Sequence, residues 1–479
     1  MRTSRKTTLL ILAICILTFK AEAQKTGKNP VIIIPGISGS TLVNPTTGRT
    51  VWFSVKRDKY DDLRLPMTSS LIERNRDSLI PIDIIREVEL PVLPDVDVYK
   101  TLIEALKARG YTEASWANPQ AADVFYVFAY DWRRDNVESA RLLMQRMSAV
   151  KRTLKRPELK FDLLAHSMGG LIARYAAMYG TADLSRRRNP VPNWAGTAHI
   201  RKLMMFGTPN EGSFAAFDAL LNGYPILADR KLPLVDDLRA EDVMTIPSVF
   251  QLLPSQNSAR FFDEKLRPLK VDIYDIKTWI KYGWGSLADP KFLSKLKDAR
   301  RLAIQNKEIK PVRPDKDASV DDRLLSRTTF GQVRAYFSAA LERAERFHAA
   351  LDAQTTDSPI QIYAYGGNCS ETLDGAIILH DKDKDRWITL LDDEDIKTAD
   401  GEKVSKDAVK GILFAPGDGR VTTRSLLGEM STLGKAATRV GITLESSLFT
   451  CGSHFTLFLE KPILDSFLSA LIVEKVKQP

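Results

Sequence analysis

The chain has 479 residues, a formal charge of +9 and an apolar content of 44%. That length fits two or three domains, or one heavily decorated α/β domain, and the apolar fraction suffices for a large core. Lys and Arg alternate with Asp and Glu instead of clustering, so the charge allows weak attraction to anionic membrane surfaces but makes no case for nucleic-acid binding.

Residues 1–23 read as a targeting segment. Arg2, Arg5 and Lys6 form a basic start, residues 9–17 an apolar run, and Ala21-Glu22-Ala23 a small-residue cleavage site. The run is too short to span a bilayer. Ile14 stands before Cys15, where lipoprotein processing wants a small residue. Export by a signal peptide to the periplasm or the medium is therefore expected, with membrane association as an option. Without Arg2, Arg5, Lys6, Lys20 and Glu22, the remaining chain carries +6. It keeps Cys369 and Cys451, a pair that exported proteins can join but too few for a disulfide scaffold. No C-x-x-C or H-E-x-x-H spacing argues for a metal, and no cofactor is expected.

Residues 30–36 are a continuous apolar run ending in Pro35-Gly36, as suits a parallel strand buried on both faces. The pattern then weakens from 44 to about 97, an excursion from the sheet with Val51-Trp52-Phe53 as an apolar island. Helices are expected at 98–109 and 136–155, and strands at 124–130 and 161–165. Leu171, Ile172, Tyr175 and Tyr179 recur at helical spacing after the last of these. Residues 200–206 form another strand, ending in Gly207-Thr208-Pro209-Asn210-Glu211-Gly212. Strands alternating with helices imply a parallel sheet with helices on both faces. From 213 to 358 the alternation stops; this insertion, with a charged run at 310–323 and a strong helix at 330–351, is read as a cap. It resumes with a strand at 360–365, a hairpin around 377–391, a strand at 411–415 and a closing helix at 462–476 whose apolar stripe marks it as core. The organisation is thus leader 1–23, core 24–212, cap 213–358 and core 359–479.

Ser167 lies between the strand and helix of Phe161-Asp162-Leu163-Leu164-Ala165-His166-Ser167-Met168-Gly169-Gly170. A sharp strand-to-helix turn lifts the seryl oxygen clear of the sheet and needs small neighbours; this is the nucleophile elbow of α/β-hydrolases, with Ala165 replacing the first glycine. A seryl hydroxyl needs a base and a group to orient it, following it in the order acid, then histidine. Of five histidines, His166 would point the wrong way along the strand, His199 comes too early, His348 lies inside a helix and His380 in an Asp/Lys-rich turn. His454, in a loop before the last helix, remains as the base. Asp418, in Gly417-Asp418-Gly419 after an apolar run, is the acid; Asp392, Asp393 and Asp395 look solvated. The oxyanion hole is expected from the backbone N–H groups of Met168 and Ile37.

With these residues in place the chain resembles the lecithin:cholesterol acyltransferase family. The blocks are Pro35-Gly36-Ile37-Ser38-Gly39-Ser40-Thr41-Leu42, Tyr130-Asp131-Trp132-Arg133, His166 to Gly170, Gly207-Thr208-Pro209 with Gly212-Ser213, Ile246-Pro247-Ser248-Val249-Phe250-Gln251-Leu252-Leu253-Pro254 and Gly417-Asp418-Gly419-Arg420-Val421. Arg420 stands where the family pattern has Thr or Ser. The resemblance implies acyl transfer from lipid esters, hydrolytic or to an alcohol, at a membrane or lipid surface. It also implies a membrane-touching excursion, here Val51-Trp52-Phe53, and a cap that forms the acyl pocket. The early disulfide of animal members has no counterpart cysteines. Tyr130-Asp131-Trp132-Arg133 reads as structural. No protein partner is implied. Competing readings are a carboxylesterase or neutral-glyceride lipase with the same triad, and a lipid-binding protein on an inactive hydrolase fold.

Overall fold

The computed structural model describes residues 27–54, 62–88, 95–187, 190–224, 237–306, 328–353, 358–430, 438–439 and 442–472. The 1–23 leader and the 310–323 charged run lie outside the described residues. Seven strands form a parallel sheet: β1 (Val31–Ile34), β2 (Thr112–Glu113), β3 (Val124–Val127), β4 (Phe161–His166), β5 (Ile200–Phe206), β6 (Gln361–Gly367) and β7 (Ser446–Thr450). Their order across the sheet is β7-β6-β5-β4-β1-β3-β2, every neighbouring pair parallel. This is the central sheet of an α/β-hydrolase.

The apolar runs are continuous because each strand is covered on both faces. Val31 and Ile33 pack in one layer with helices α1 (Lys100–Ala108) and α6 (Lys461–Ile472), through Leu102, Leu106, Ile463 and Phe467. Ile32 and Ile34 point into the opposite layer, with α2 (Asn136–Thr153) and α3 (Met168–Tyr179). Single-residue alternation thus splits each strand between two cores.

The inserted stretch is fastened to the body. Its α4 (Phe214–Asn222) is capped by Ser213, and its α5 (Phe330–Leu351) by a Thr329–Gln332 capping box. α5 lies on α3: the Tyr175 and Phe347 rings stack at 5.7 Å, and the Tyr179 hydroxyl donates to the Ala350 carbonyl at 2.9 Å. Phe217, Phe261, Trp279 and Trp284 form an aromatic nucleus within the insertion.

Two local expectations need correction. The strand expected at 411–415 is mostly helix: Lys406–Leu413 is helical, capped by Ser405, and buries Val409 and Leu413 one turn apart. The extended segment, Phe414–Gly417, pairs with Ser370–Leu373 outside the central sheet. The 377–391 hairpin does form, Ala376–Asp381 pairing antiparallel with Arg386–Leu390, and Ala376–Asp381 also takes Phe261–Asp263 of the insertion as a parallel partner. The Val51-Trp52-Phe53 island is not a membrane-facing tip. Val51 and Trp52 are buried, the Trp52 indole N–H donates to the Ser38 carbonyl at 2.7 Å, and its ring packs on Trp132 at 5.1 Å.

Tyr130-Asp131-Trp132-Arg133 explains why the excursion folds back. Arg133 is fully buried and donates to Asp77 (2.6 Å), Asp131 (2.8 Å) and the Leu63 carbonyl (3.2 Å). Asp77 and Leu63 both belong to the excursion, so one guanidinium bolts it to the sheet. Arg133→Met leaves two carboxylates without their partner and should lower the unfolding free energy by about 3–5 kcal/mol, read by urea denaturation. A loss below about 1 kcal/mol, the range of an exposed pair, would contradict this role.

Candidate active site

The strand register sets the site. Ile34 pairs with Ala165, His166 with Phe206, and Gly367 with Thr450, so β1, β4, β5, β6 and β7 end side by side. The next residues of the chain therefore converge at one edge of the sheet: Pro35 to Ile37, Ser167, Gly207 and the loop bearing His454. The chain leaves β1 for β3 on one side and β4 on the other, and such a switch point opens a crevice at the carboxyl ends of the strands.

Ser167 ends β4 and precedes α3 with φ 53° and ψ −126°. This is a left-handed conformation that costs a non-glycine residue energy, held because its neighbours leave no alternative. Its N–H donates to the Phe206 carbonyl at 2.7 Å. A Cβ on Gly169 would lie 2.6 Å from the carbonyl oxygens of both Ile34 and Pro35, so only glycine lets α3 start against the end of β1.

Ser167 Oγ lies 2.9 Å from His454 Nε2, and His454 Nδ1 lies 2.9 Å from Asp418 Oδ2. All three are at least 94% buried. The Asp418 Oδ1 accepts the N–H groups of Arg420 (3.0 Å) and Val421 (2.7 Å), and the Asp418 carbonyl accepts the His454 N–H at 2.8 Å. Acid and histidine loops are thereby locked to one another through side chain and backbone. Gly207 makes the contact possible: its φ is 55°, and a Cβ there would stand 2.9 Å from Asp418 Oδ2 and 3.0 Å from His454 Nδ1. A disulfide joins Cys369, beyond β6, to Cys451, beyond β7 and three residues before His454.

Ile37 lines the site together with Ser167 and His454. Met168 is the first residue of α3, so its N–H has no acceptor one turn back and the helix N-terminus favours negative charge nearby. The other histidines are elsewhere, with one exception. His199 meets Ser148 at 2.9 Å, His348 is buried in α5, and His380 lies 3.2 Å from Asp385 in the hairpin strand, not in a turn.

The exception is His166, which sequence reasoning set aside. It does point to the opposite face from Ala165, but that face runs beneath the histidine loop. The His454 carbonyl can only accept, so His166 Nε2 carries the proton of the neutral ring and donates to it at 3.0 Å. Nδ1 is then an acceptor and takes the Tyr99 hydroxyl proton at 2.8 Å, while that hydroxyl accepts the Gly36 N–H at 2.9 Å. The chain of bonds ties the Gly36-Ile37 loop to the His454 loop. No spacing in the sequence links Tyr99 to this site.

Two spaces meet at Ser167, His454, Ile37 and Tyr224. The first, about 630 Å³, has walls from the excursion: Trp52, Phe53, Ile85, Val88 and Val96. The second, about 490 Å³, is lined from the insertion side by Ala215, Ala216, Ala219, Val249 and Leu252. The cap alone therefore does not form the pocket; the excursion supplies half of it. Among the described residues no group of three or more His, Cys, Asp or Glu could hold a metal, and no helix is long and apolar enough to cross a membrane.

If this array acts as a unit, Asp418→Asn should retain the fold while kcat falls by about 10³- to 10⁴-fold, and His454→Ala should cost as much; steady-state kinetics on a soluble ester checks both. Near-normal turnover in either variant would contradict it. His166 gives a separate prediction. Burial first, and then the neighbouring His454, hold its imidazole neutral, its pKa pushed down from 6.5 to about 3. Between those values the unfolded chain binds the extra proton, so stability present above pH 6.5 drains away as pH falls. In His166→Gln the slope of unfolding free energy against pH from 4 to 6 should lose up to one proton, about 1.4 kcal/mol per pH unit; an unchanged slope would contradict the buried neutral state.

Residues 86–289 match the model of the lecithin:cholesterol acyltransferase family. No curated protein matches the chain in sequence. Among solved structures, one in the Tle4–Tli4 complex matches over 93% of this chain and 98% of its own, at 15% identity and a TM-score of 0.51, which is likeness of fold. The mature lipase BlEst2 of Bacillus licheniformis matches over 93% of each chain at 10% identity, TM-score 0.28, and EstA of Clostridium botulinum over 93% and 87% at 12%, TM-score 0.33. Tyr130 to Arg133, the elbow, Gly207 to Ser213 and Ile246 to Pro254 all fall inside the matched stretch, so the motif blocks and the family model agree on a lecithin:cholesterol acyltransferase-like region carried on an α/β-hydrolase sheet.

Proposed function

We propose that the chain is an exported serine acyl hydrolase or O-acyltransferase that takes fatty acyl groups from lipid esters through an acyl-enzyme on Ser167. The match of residues 86–289 to an acyltransferase family model supports lipid ester chemistry in general. The observation that carries the finer reading is the continuous run of contacts from Ser167 Oγ to His454 Nε2 and from His454 Nδ1 to Asp418, both at 2.9 Å, at the meeting point of two largely apolar spaces.

In the forward step His454 Nε2 takes the seryl proton as Oγ bonds to the acyl carbon. Asp418 holds the imidazole in the tautomer that leaves Nε2 free, and stabilises the imidazolium that forms. The N–H groups of Ile37 and Met168 receive the developing oxyanion. As the tetrahedral intermediate collapses, the ester C–O bond breaks and His454 returns its proton to the departing alcohol. Water or a second alcohol then repeats the sequence in reverse, giving a free fatty acid or a new ester. Closure against water governs that choice. The basic and apolar N-terminal segment supports export. The assembled triad favours a working enzyme over an inactive lipid-binding fold.

The test is product analysis on acyl-labelled phosphatidylcholine vesicles with a long-chain alcohol present, wild type beside Ser167→Ala. Labelled free fatty acid or labelled ester from the wild type alone is expected. Equal product from Ser167→Ala, or none from the wild type on this or on soluble short-chain esters, would overturn the reading.

A further inference from the structure

Pro35 and Gly36 carry the chain out of β1 into the loop whose next residue, Ile37, offers its N–H to the oxyanion in the proposed reaction. The peptide that joins them is gripped on both edges by tyrosine hydroxyls. Its carbonyl, on Pro35, accepts the Tyr130 hydroxyl at 2.9 Å, and its N–H, on Gly36, donates to the Tyr99 hydroxyl at 2.9 Å. The two rings arrive from opposite faces of the sheet. Tyr130 belongs to the core layer that holds α2 and α3, and Tyr99 to the layer that holds α1 and α6. Both are buried.

The following peptide is fixed as well. Its carbonyl, on Gly36, closes a turn by accepting the Gly39 N–H at 3.2 Å, with the Tyr130 hydroxyl 3.3 Å away. The C=O and N–H of a trans peptide point in opposite directions, so a fixed Gly36 carbonyl fixes the direction of the Ile37 N–H. The loop has no room to slide: a Cβ on Gly36 would stand 2.8 Å from the Ser167 Cβ. Packing alone would be served by phenylalanine at both positions, because a buried hydroxyl is costly unless it is hydrogen-bonded. The Tyr99 hydroxyl makes a second bond, to His166 Nδ1 at 2.8 Å, and His166 reaches the His454 carbonyl from its other nitrogen. One hydroxyl therefore sets the oxyanion loop against the loop of the base.

We propose that Tyr99 is a positioning residue for acyl transfer. With Tyr130 it clamps the Pro35–Gly36 peptide, so that the Ile37 N–H stays aimed at the oxyanion while His454 stays aimed at Ser167. This deepens the acyl-enzyme reading of Ser167 and rests on it. The action runs through Gly36 and His166: a donor stabilises developing charge best when it is held in place before the charge appears.

The experiment measures kcat and KM for p-nitrophenyl butyrate and for its thiono analogue, with C=S in place of C=O, per site titrated with a fluorophosphonate. Wild type, Tyr99→Phe and Tyr130→Phe are compared. Sulfur is a weak hydrogen-bond acceptor, so the oxo-to-thiono ratio of kcat/KM reports the contacts to the oxyanion. In Tyr99→Phe, kcat on the oxo ester should fall about 10- to 100-fold with KM nearly unchanged, at or below the cost of removing an oxyanion donor outright. The oxo-to-thiono ratio should fall with it, and Tyr130→Phe, which leaves the His166 link intact, should shift the ratio in the same direction. Equal losses on both esters, as a purely structural role would give, overturn the proposal, and so does undiminished turnover in both variants. Should Tyr99→Phe not fold, Tyr130→Phe decides on the same ratio. Turnover of p-nitrophenyl butyrate that persists in Ser167→Ala would instead sink the acyl-enzyme reading, so the two failures are distinguishable.

Discussion

The structure depends on one constraint: Ser167 must hold a left-handed backbone at a place where two strands and a helix leave no spare volume. Ile34 on one side and Phe206 on the other end in register with Ala165 and His166, and α3 begins so close to β1 that a single Cβ on Gly169 would strike two carbonyl oxygens. Strain of this kind persists only when the surroundings over-determine it. Here they do so by the parallel register itself, which is fixed over the whole length of β1, β4 and β5 by residues buried on both faces. Burial in the two core layers thus holds the elbow.

The remaining groups are positioned relative to that serine by contacts that cross the sheet edge. Asp418 grips its own loop through the Arg420 and Val421 N–H groups and grips the histidine loop through its carbonyl and carboxylate. Tyr99 and His166 approach from the opposite face and join the loop after β1 to the same histidine loop. The Cys369–Cys451 bridge secures the base of that loop to the neighbouring strand end. A histidine held from both faces and from its own root has little freedom to drift from the serine, and preorganisation of this kind is what makes a low-dielectric site effective.

The sequence carried the elbow plainly, because a short apolar strand buried on both faces, small flanking residues and a helix of 3.6 periodicity leave separate marks on adjacent residues. The parallel sheet was legible for the same reason, from runs such as Val31 to Ile34 that admit no wet face. Ser167, Asp418 and His454, read from chain order alone, are brought within hydrogen-bond distance. Less was legible where a segment's partner lies far along the chain. Ala376–Asp381 looks like any hairpin strand until Phe261–Asp263 arrives beside it. The family resemblance puts Trp52 on a membrane-touching excursion, and Trp132, which buries it, is distant in sequence. Leu413 falls within the 411–415 run that reads as a strand, although it lies one helical turn after Val409 on a helix. His166 was set aside on strand alternation, which correctly gave its direction but not what lay in that direction.

The central claim is that Ser167 is the activated nucleophile, and its chemistry can be read directly by mass-spectrometric mapping of the folded protein after a fluorophosphonate reaction. The account predicts one adduct, on the peptide that contains Ser167, formed at a rate that drops at least about 100-fold in His454→Ala because the base that takes the seryl proton is gone. An adduct on another residue, or labelling of Ser167 that ignores the loss of His454, would contradict it.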